Sequence, residues 1–185
     1  GLNVMRAKMI DKFDMGPVIL SQNYVFFYDQ LEKANLFLQG IIDTKDLPDD
    51  DRTVDWLFAH PIGDGGQFTG VSNLIMKYGV VPSEVFPESM IANNTAQMRA
   101  QVTNKLREDG LRLRQAPKGT DLQAMKVAQL KEIYRILALC LGVPPTEFTW
   151  TRTDSKGNVV STKQYTPKSF YEEYIGTDLE NNYIM

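Results

Sequence analysis

The sequence predicts an α+β fold that is mostly helical, and three observations predict it. Apolar residues recur at helical spacing through most of the chain, and Gly and Pro punctuate those runs. Two short stretches alone read as strands: "EFTWTRT" and "NVVSTKQY", rich in Thr, Val and aromatics, flank "DSKG" and make a β-hairpin.

The elements follow in order. In "GLNVMRAKMI", Leu2, Met5 and Met9 share a face, so a first helix runs over about Leu2–Lys12 and breaks at Gly16-Pro17. No Ser, Thr, Asp or Asn precedes it as a cap, and "DLENNYIM" stops on apolar residues; both features lead us to expect a piece cut from a longer protein. Ser21 caps a second helix, "QNYVFFYDQLEKANLFLQGII", apolar on most sides and therefore central. The acidic loop "DTKDLPDDDR" leads into a short helix, "TVDWLFAH". After two adjacent glycines, Phe68, Val71, Leu74, Ile75 and Tyr78 form one helical face, with Gly79 as the residue that ends it. "VVPSEVFPES" reads as extended chain and turns. From about Asn94, Met98, Val102, Leu106 and Leu113 mark a long charged helix that tolerates Gly110. Thr120 with Gln123 predicts a capping box for its partner, whose apolar face is Leu122, Met125, Leu130, Ile133, Leu137 and Cys140. After the hairpin, Thr166 and Pro167 open a last helix, "KSFYEEYI".

Composition narrows the function. The 185 residues are 43% apolar and 23% charged, which describes an ordinary globular chain able to bury a sizeable core. A net charge of −3 gives no global reason to bind nucleic acid or an anionic membrane. No run approaches the roughly 18 apolar residues of a membrane span. A single cysteine leaves no internal disulfide and no cysteine-rich zinc site.

Each chemically capable residue has a plain alternative. His60 is the chain's one histidine, with Asp64 the nearest acid and no second histidine to share a metal; a helix-terminal histidine on the last carbonyls is the favoured reading. Cys140 sits on an apolar stripe and behaves as a small hydrophobe. Asp46, Asp49, Asp50 and Asp51 could hold a hard cation, but no EF-hand pattern is present, and a solvated run capping the next helix explains them better. Arg99, Lys105, Arg107, Arg112, Arg114 and Lys118, against Glu108 and Asp109, could face nucleic acid, form a solvated helix face or join a subunit contact; the last two are favoured. The pair Gly65-Gly66 within "GDGGQF" fits neither a P-loop nor a dinucleotide fingerprint. It serves either as an ordinary turn or as a shelf on which a second backbone lies close, and these residues alone leave both open.

Six runs, taken together and in this order, resemble one family. "GLNVMRAKMI", "LSQNYVFFYDQLEKANLFL", "DGGQFTGVSNLIMKYGVVPSEVFPES", "KLREDGLRLR", "LGVPPTEFTW" and "TPKSFYEEYI" resemble the bleomycin hydrolase and aminopeptidase C branch of the papain-like cysteine peptidases. The resemblance implies a papain-like fold, with residues 1–93 its helical half truncated at the N-terminus. It makes residues 94–145 a family-specific helical insertion and residues 146–185 a hairpin and helix leading into the rest of the peptidase domain. It implies a cysteine aminopeptidase acting on peptides through a thioester, with no cofactor and no metal. The nucleophilic cysteine is expected just before Gly1 and the catalytic histidine and asparagine after Met185, so no catalytic residue is assigned in this chain; Gln22, Gln67, His60 and Cys140 are not their counterparts. Taken alone, the chain is expected to be inactive.

What the resemblance transfers is the shelf. Asp64, Gly65, Gly66 and Gln67 align with a substrate-binding segment in which the second glycine's N–H and C=O pair with the substrate residue second from the scissile bond. Gln67 and Phe68 then border the pocket for that side chain. The resemblance further implies a hexameric homo-oligomer and a cytoplasmic protein, although an export signal upstream would leave no trace here. The competing expectation is a non-catalytic helical scaffold, binding protein or nucleic acid.

Overall fold

The computed structural model describes residues 1–63, 65–66, 68–89 and 94–176. Among them seven helices and one antiparallel hairpin follow in the order α1 (Leu2–Phe13), α2 (Gln22–Asp43), α3 (Arg52–Ala59), α4 (Phe68–Tyr78), α5 (Ala96–Gln115), α6 (Leu122–Leu141), β1 (Phe148–Thr153), β2 (Val159–Tyr165) and α7 (Pro167–Tyr174). Contacts divide the chain into two compact units that alternate along it. Unit 1 takes residues 1–28, 66–88 and 143–185, and unit 2 takes 29–65 and 89–142.

Unit 1 is built on aromatic packing. β1 and β2 pair from Phe148 opposite Tyr165, with an irregularity at Arg152/Thr153, and the pleat turns Phe148 and Trp150 to the buried face. Thr166 caps α7 by accepting from the Ser169 N–H, and Ser169 answers with its own side chain; Pro167 occupies the first turn, where its missing N–H costs nothing. α7 then buries Phe170, Tyr171 and Tyr174. Phe170 meets Trp150 and Tyr165 edge-on, and the Tyr165 and Tyr174 hydroxyls lie 2.8 Å apart. Burial and that phenol partner push the Tyr165 hydroxyl well above its usual titration range.

Ser21 caps α2 as the sequence predicts: its Oγ accepts from the Tyr24 N–H at 3.0 Å and donates to the Phe86 carbonyl at 2.6 Å. The same stretch meets Val81 and Pro82 as extended chain, through an antiparallel bridge of Leu20 with Pro82, Ser21 N–H on Val81 O and Ser83 N–H on Ile19 O; residues 83–86 then turn, with Val85 N–H on Pro82 O. Gly79 has φ +77°, and a Cβ there would stand 2.1 Å from the Pro167 carbonyl oxygen, so the position requires glycine twice over.

Unit 2 packs the later turns of α2, with α3, around the α5–α6 hairpin. Phe37, Leu38, Ile41, Val54, Leu106, Leu113, Ile133 and Leu137 are buried there. One expectation fails in this unit and one is extended. The cap of α6 is Asp121, whose carboxylate accepts from the Ala124 N–H at 2.9 Å, and not Thr120 with Gln123. The Thr120 N–H closes a turn onto Pro117 O, which moves the helix entrance one residue on. The inward face of α6 includes a residue the sequence does not predict there: Gln129 is buried with Ile133, Leu137 and Leu141, while Leu122, Met125, Leu130 and Cys140 are half-buried. Gln129 turns inward because its amide donates to the Asp109 main-chain carbonyl at 3.1 Å. No helix among the described residues is long and apolar enough to cross a membrane.

Candidate functional site

The glycine pair lies between α3 and α4. Asp51 opens α3, its carboxylate accepting from the Thr53 N–H at 2.8 Å, so part of the acidic run does cap the following helix. At the other end His60 is the cap residue, its N–H on the Trp56 and Leu57 carbonyls. Its ring stacks on Trp56, and Nδ1 lies 3.2 Å from Trp56 O, donating in the tautomer that carries its proton there. The histidine is thus engaged by the last turn of its own helix. Arg107 completes that terminus: Nε donates to Phe58 O at 2.9 Å and a second guanidinium nitrogen reaches Ala59 O.

Beyond His60 the chain reaches the glycines. Gly65 is the last residue of its stretch in unit 2, and Gly66 is the first of its stretch in unit 1. Both are exposed, and a Cβ built on either meets no atom within 4 Å among the described residues. Gly66 also lies outside the left-handed region. Among the described residues neither crowding nor positive φ accounts for glycine at 66, and the residue is exposed. Asp64 and Gln67 lie outside the described residues. Phe68 opens α4, and its side chain is outside the described part as well.

One side chain on α2 organises this loop. Lys33 Nζ donates to Gly63 O at 2.9 Å, to Gly65 O at 2.8 Å and to Asp29 Oδ2 at 2.6 Å. Asp29 and Lys33 stand four residues apart on α2, one turn from each other. Sequence reading missed this pair, because an acid and a lysine at that spacing read as any helix surface pair. Nothing local says that the ammonium also reaches residues 63 and 65.

Among the described residues the remaining candidates are not drawn into a reactive group. Cys140 is half-buried on α6, and burial raises its thiol pKa, the opposite of what a nucleophilic thiolate needs. Asp49 pairs with Arg114 at 2.8 Å. Lys105 lies 2.7 Å from Glu132, 3.0 Å from Asp109 and 3.6 Å from Glu108, and Arg112 pairs with Glu108. At least four of the six basic residues singled out in this stretch therefore hold intramolecular acids or carbonyls, which leaves their charge little free to meet phosphates.

Comparison with known proteins extends this picture. The Peptidase C1-like family matches residues 1–185. Aminopeptidase C of Lactobacillus delbrueckii subsp. lactis is 40% identical over 184 residues, covering 97% of this chain and 41% of that protein. Bleomycin hydrolase of Rattus norvegicus is 39% identical over 181 residues, covering 94% of this chain and 40% of the relative. A crystal structure of PepW from Lactobacillus rhamnosis superposes with a TM-score of 0.89 at 39% identity, over 97% of this chain and 41% of that one. The chain spans about two fifths of the length of these relatives.

Proposed function

The chain belongs to the Peptidase C1-like family, and from that premise we propose that it forms part of a cysteine aminopeptidase, supplying one wall of the substrate cleft. The observation that carries this reading is that the family match runs over the whole chain without a break. In the proposed reaction a cysteine thiolate adds to the carbonyl carbon of a peptide bond near the N-terminus of the substrate. The C–N bond breaks, the leaving amine takes a proton from a histidine, and water then hydrolyses the thioester. The cysteine, histidine and supporting asparagine come from parts of the parent protein outside these 185 residues.

The role of this chain is to hold peptide main chain. Gly66 offers its N–H and C=O to the residue second from the scissile bond, and Gly65 keeps the approach clear; both are exposed, and among the described residues no atom stands where their side chains would be. Asp64 belongs to the same segment, and Gln67 and Phe68 border the neighbouring pocket. Under the same reading residues 94–145 are the family's helical insertion and contribute to a homo-oligomer. In support, Leu139 on α6 is 87% exposed, an apolar side chain suited to contact with a second copy.

The test is alkylation of the full-length protein with an active-site thiol reagent during turnover of aminoacyl fluorogenic amides. Activity that disappears as one cysteine outside these 185 residues is labelled is the expected result. Labelling at Cys140 in step with the loss, or absence of amidase activity, would overturn the reading.

A further inference from the structure

We propose that Lys33 is the positioning residue of the peptide shelf: its ammonium, steered by Asp29, holds the Gly65 carbonyl and so aims the Gly66 N–H away from Lys33. The inference rests on the proposed use of Gly66 to bind peptide main chain, and it supplies what that use lacks, a reason for Gly66 to face one way.

Three observations carry it. First, a lysine ammonium has three N–H donors, and all three are directed here: to Asp29 Oδ2, Gly63 O and Gly65 O at 2.6, 2.9 and 2.8 Å. A fully used ammonium is fixed in place, whereas one with a single partner swings on its four-carbon stem. Second, no peptide bond among the described residues is cis, so the Gly65–Gly66 unit is planar and trans. Its C=O and N–H then point in opposite directions. With the Gly65 oxygen drawn to Lys33, the Gly66 N–H is aimed at the far side. Third, a peptide unit flanked by two glycines has no Cβ on either side to resist rotation. Left alone, it would sample both orientations at little cost, and a donor that faces its ligand part of the time binds with correspondingly lower apparent affinity. The ammonium removes that freedom.

Asp29 has its own part. It stands one helical turn before Lys33 and accepts the shortest of the three bonds, fixing the ammonium's position on α2. It also supplies the negative charge that keeps a dense donor from carrying bare positive charge into the cleft.

The experiment uses the full-length protein and two probes. One is a dipeptide aldehyde. The other is the same compound with a thiocarbonyl, a weaker acceptor, at the second residue from the aldehyde. The wild type is expected to bind the thiocarbonyl probe roughly five- to tenfold more weakly, the fold-change of one main-chain hydrogen bond. Lys33→Met, which keeps the apolar stem, is expected to bind the ordinary aldehyde roughly five- to tenfold more weakly and no longer to distinguish the two probes; Lys33→Arg restores part of the distinction. A wild type that treats the probes alike overturns the shelf reading itself. A discriminating wild type matched by an equally discriminating Lys33→Met overturns the role of Lys33 and leaves the shelf standing. Should Lys33→Met fail to fold, Asp29→Asn decides: partial loss of discrimination supports the positioning role, and unchanged discrimination overturns it.

Discussion

The two units are held together by different chemistry. In unit 1 the cohesion is aromatic: Phe148, Trp150, Tyr165, Phe170 and Tyr174 meet edge-on or tilted, with centroids 4.9–6.1 Å apart. In unit 2 cationic side chains reach across to main-chain carbonyls. Lys45, just past α2, donates to Leu113, Arg114 and Ala116 at the end of α5. Arg114, in the last turn of α5, donates to Thr44 and Leu47 just beyond α2. The two helix ends therefore exchange cations, each satisfying carbonyls the other leaves bare. Arg107 does the same for α3, and Lys33 for the glycine loop. The lesson concerns how a basic stretch is read. Arg114 is charged in the sequence, yet its side chain is only 8% exposed in the fold. Clustered arginines count toward a phosphate-binding surface only once their intramolecular carbonyls have been ruled out.

That contrast can be broken or sharpened by substitution in the full-length protein, followed by denaturant unfolding. The largest effect is expected in the aromatic unit. Phe170 is fully buried among Phe148, Trp150, Tyr165 and Tyr174, and Phe170→Ala should cost about 3–5 kcal/mol at any pH. A loss below about 1 kcal/mol would mean that the cluster collapses around the gap and is not the cohesive element described.

The next effect should depend on pH. Asp109 is fully buried; burial holds its carboxyl above the usual range, against the pull of Lys105. Lys105→Met leaves that carboxylate uncompensated and should cost about 3 kcal/mol at neutral pH. A carboxyl whose folded pKa lies above its unfolded value binds more protons in the native state, so its destabilisation grows as pH rises through that interval. The cost of Lys105→Met should therefore shrink on acidification towards pH 4. A pH-independent cost would show that Lys105 acts through packing, as the residues of unit 1 do.

The smallest effect separates two neighbours. Asp121→Ala should cost about 1 kcal/mol through the lost cap of α6, and Thr120→Ala should stay within roughly 0.5 kcal/mol. The reverse order would restore the capping box that the sequence suggests.

What the sequence made legible follows the same division. In unit 1 local signals sufficed: the caps Ser21 and Thr166, the glycine at 79, and the strand alternation of Phe148 and Trp150 each depend on near neighbours or on a period of two or 3.6. In unit 2 the decisive partners are remote. Gln129 is buried for a carbonyl on the preceding helix, and Gly110 is glycine because Phe58 and Phe37 crowd the place of its Cβ at 3.0–3.2 Å. Lys33 looks like a solvated charge until residues 63 and 65 arrive beside it. Hydrophobic period carries no information on such contacts. Of the candidate site, Gly65 and Gly66 are exposed, as either a turn or a shelf would leave them, whereas Asp64 and Gln67 lie outside the described residues.

The close approach at Gly79 has a consequence in time. Val80 donates its N–H to Pro167, so the end of α4 finds its acceptor in a residue made near the close of this chain. On the ribosome every segment of unit 2 has been synthesised by Gly142, while unit 1 still lacks both strands and α7. The helical hairpin can settle early. The unit that carries residues 1–28 must wait for residues 148–174.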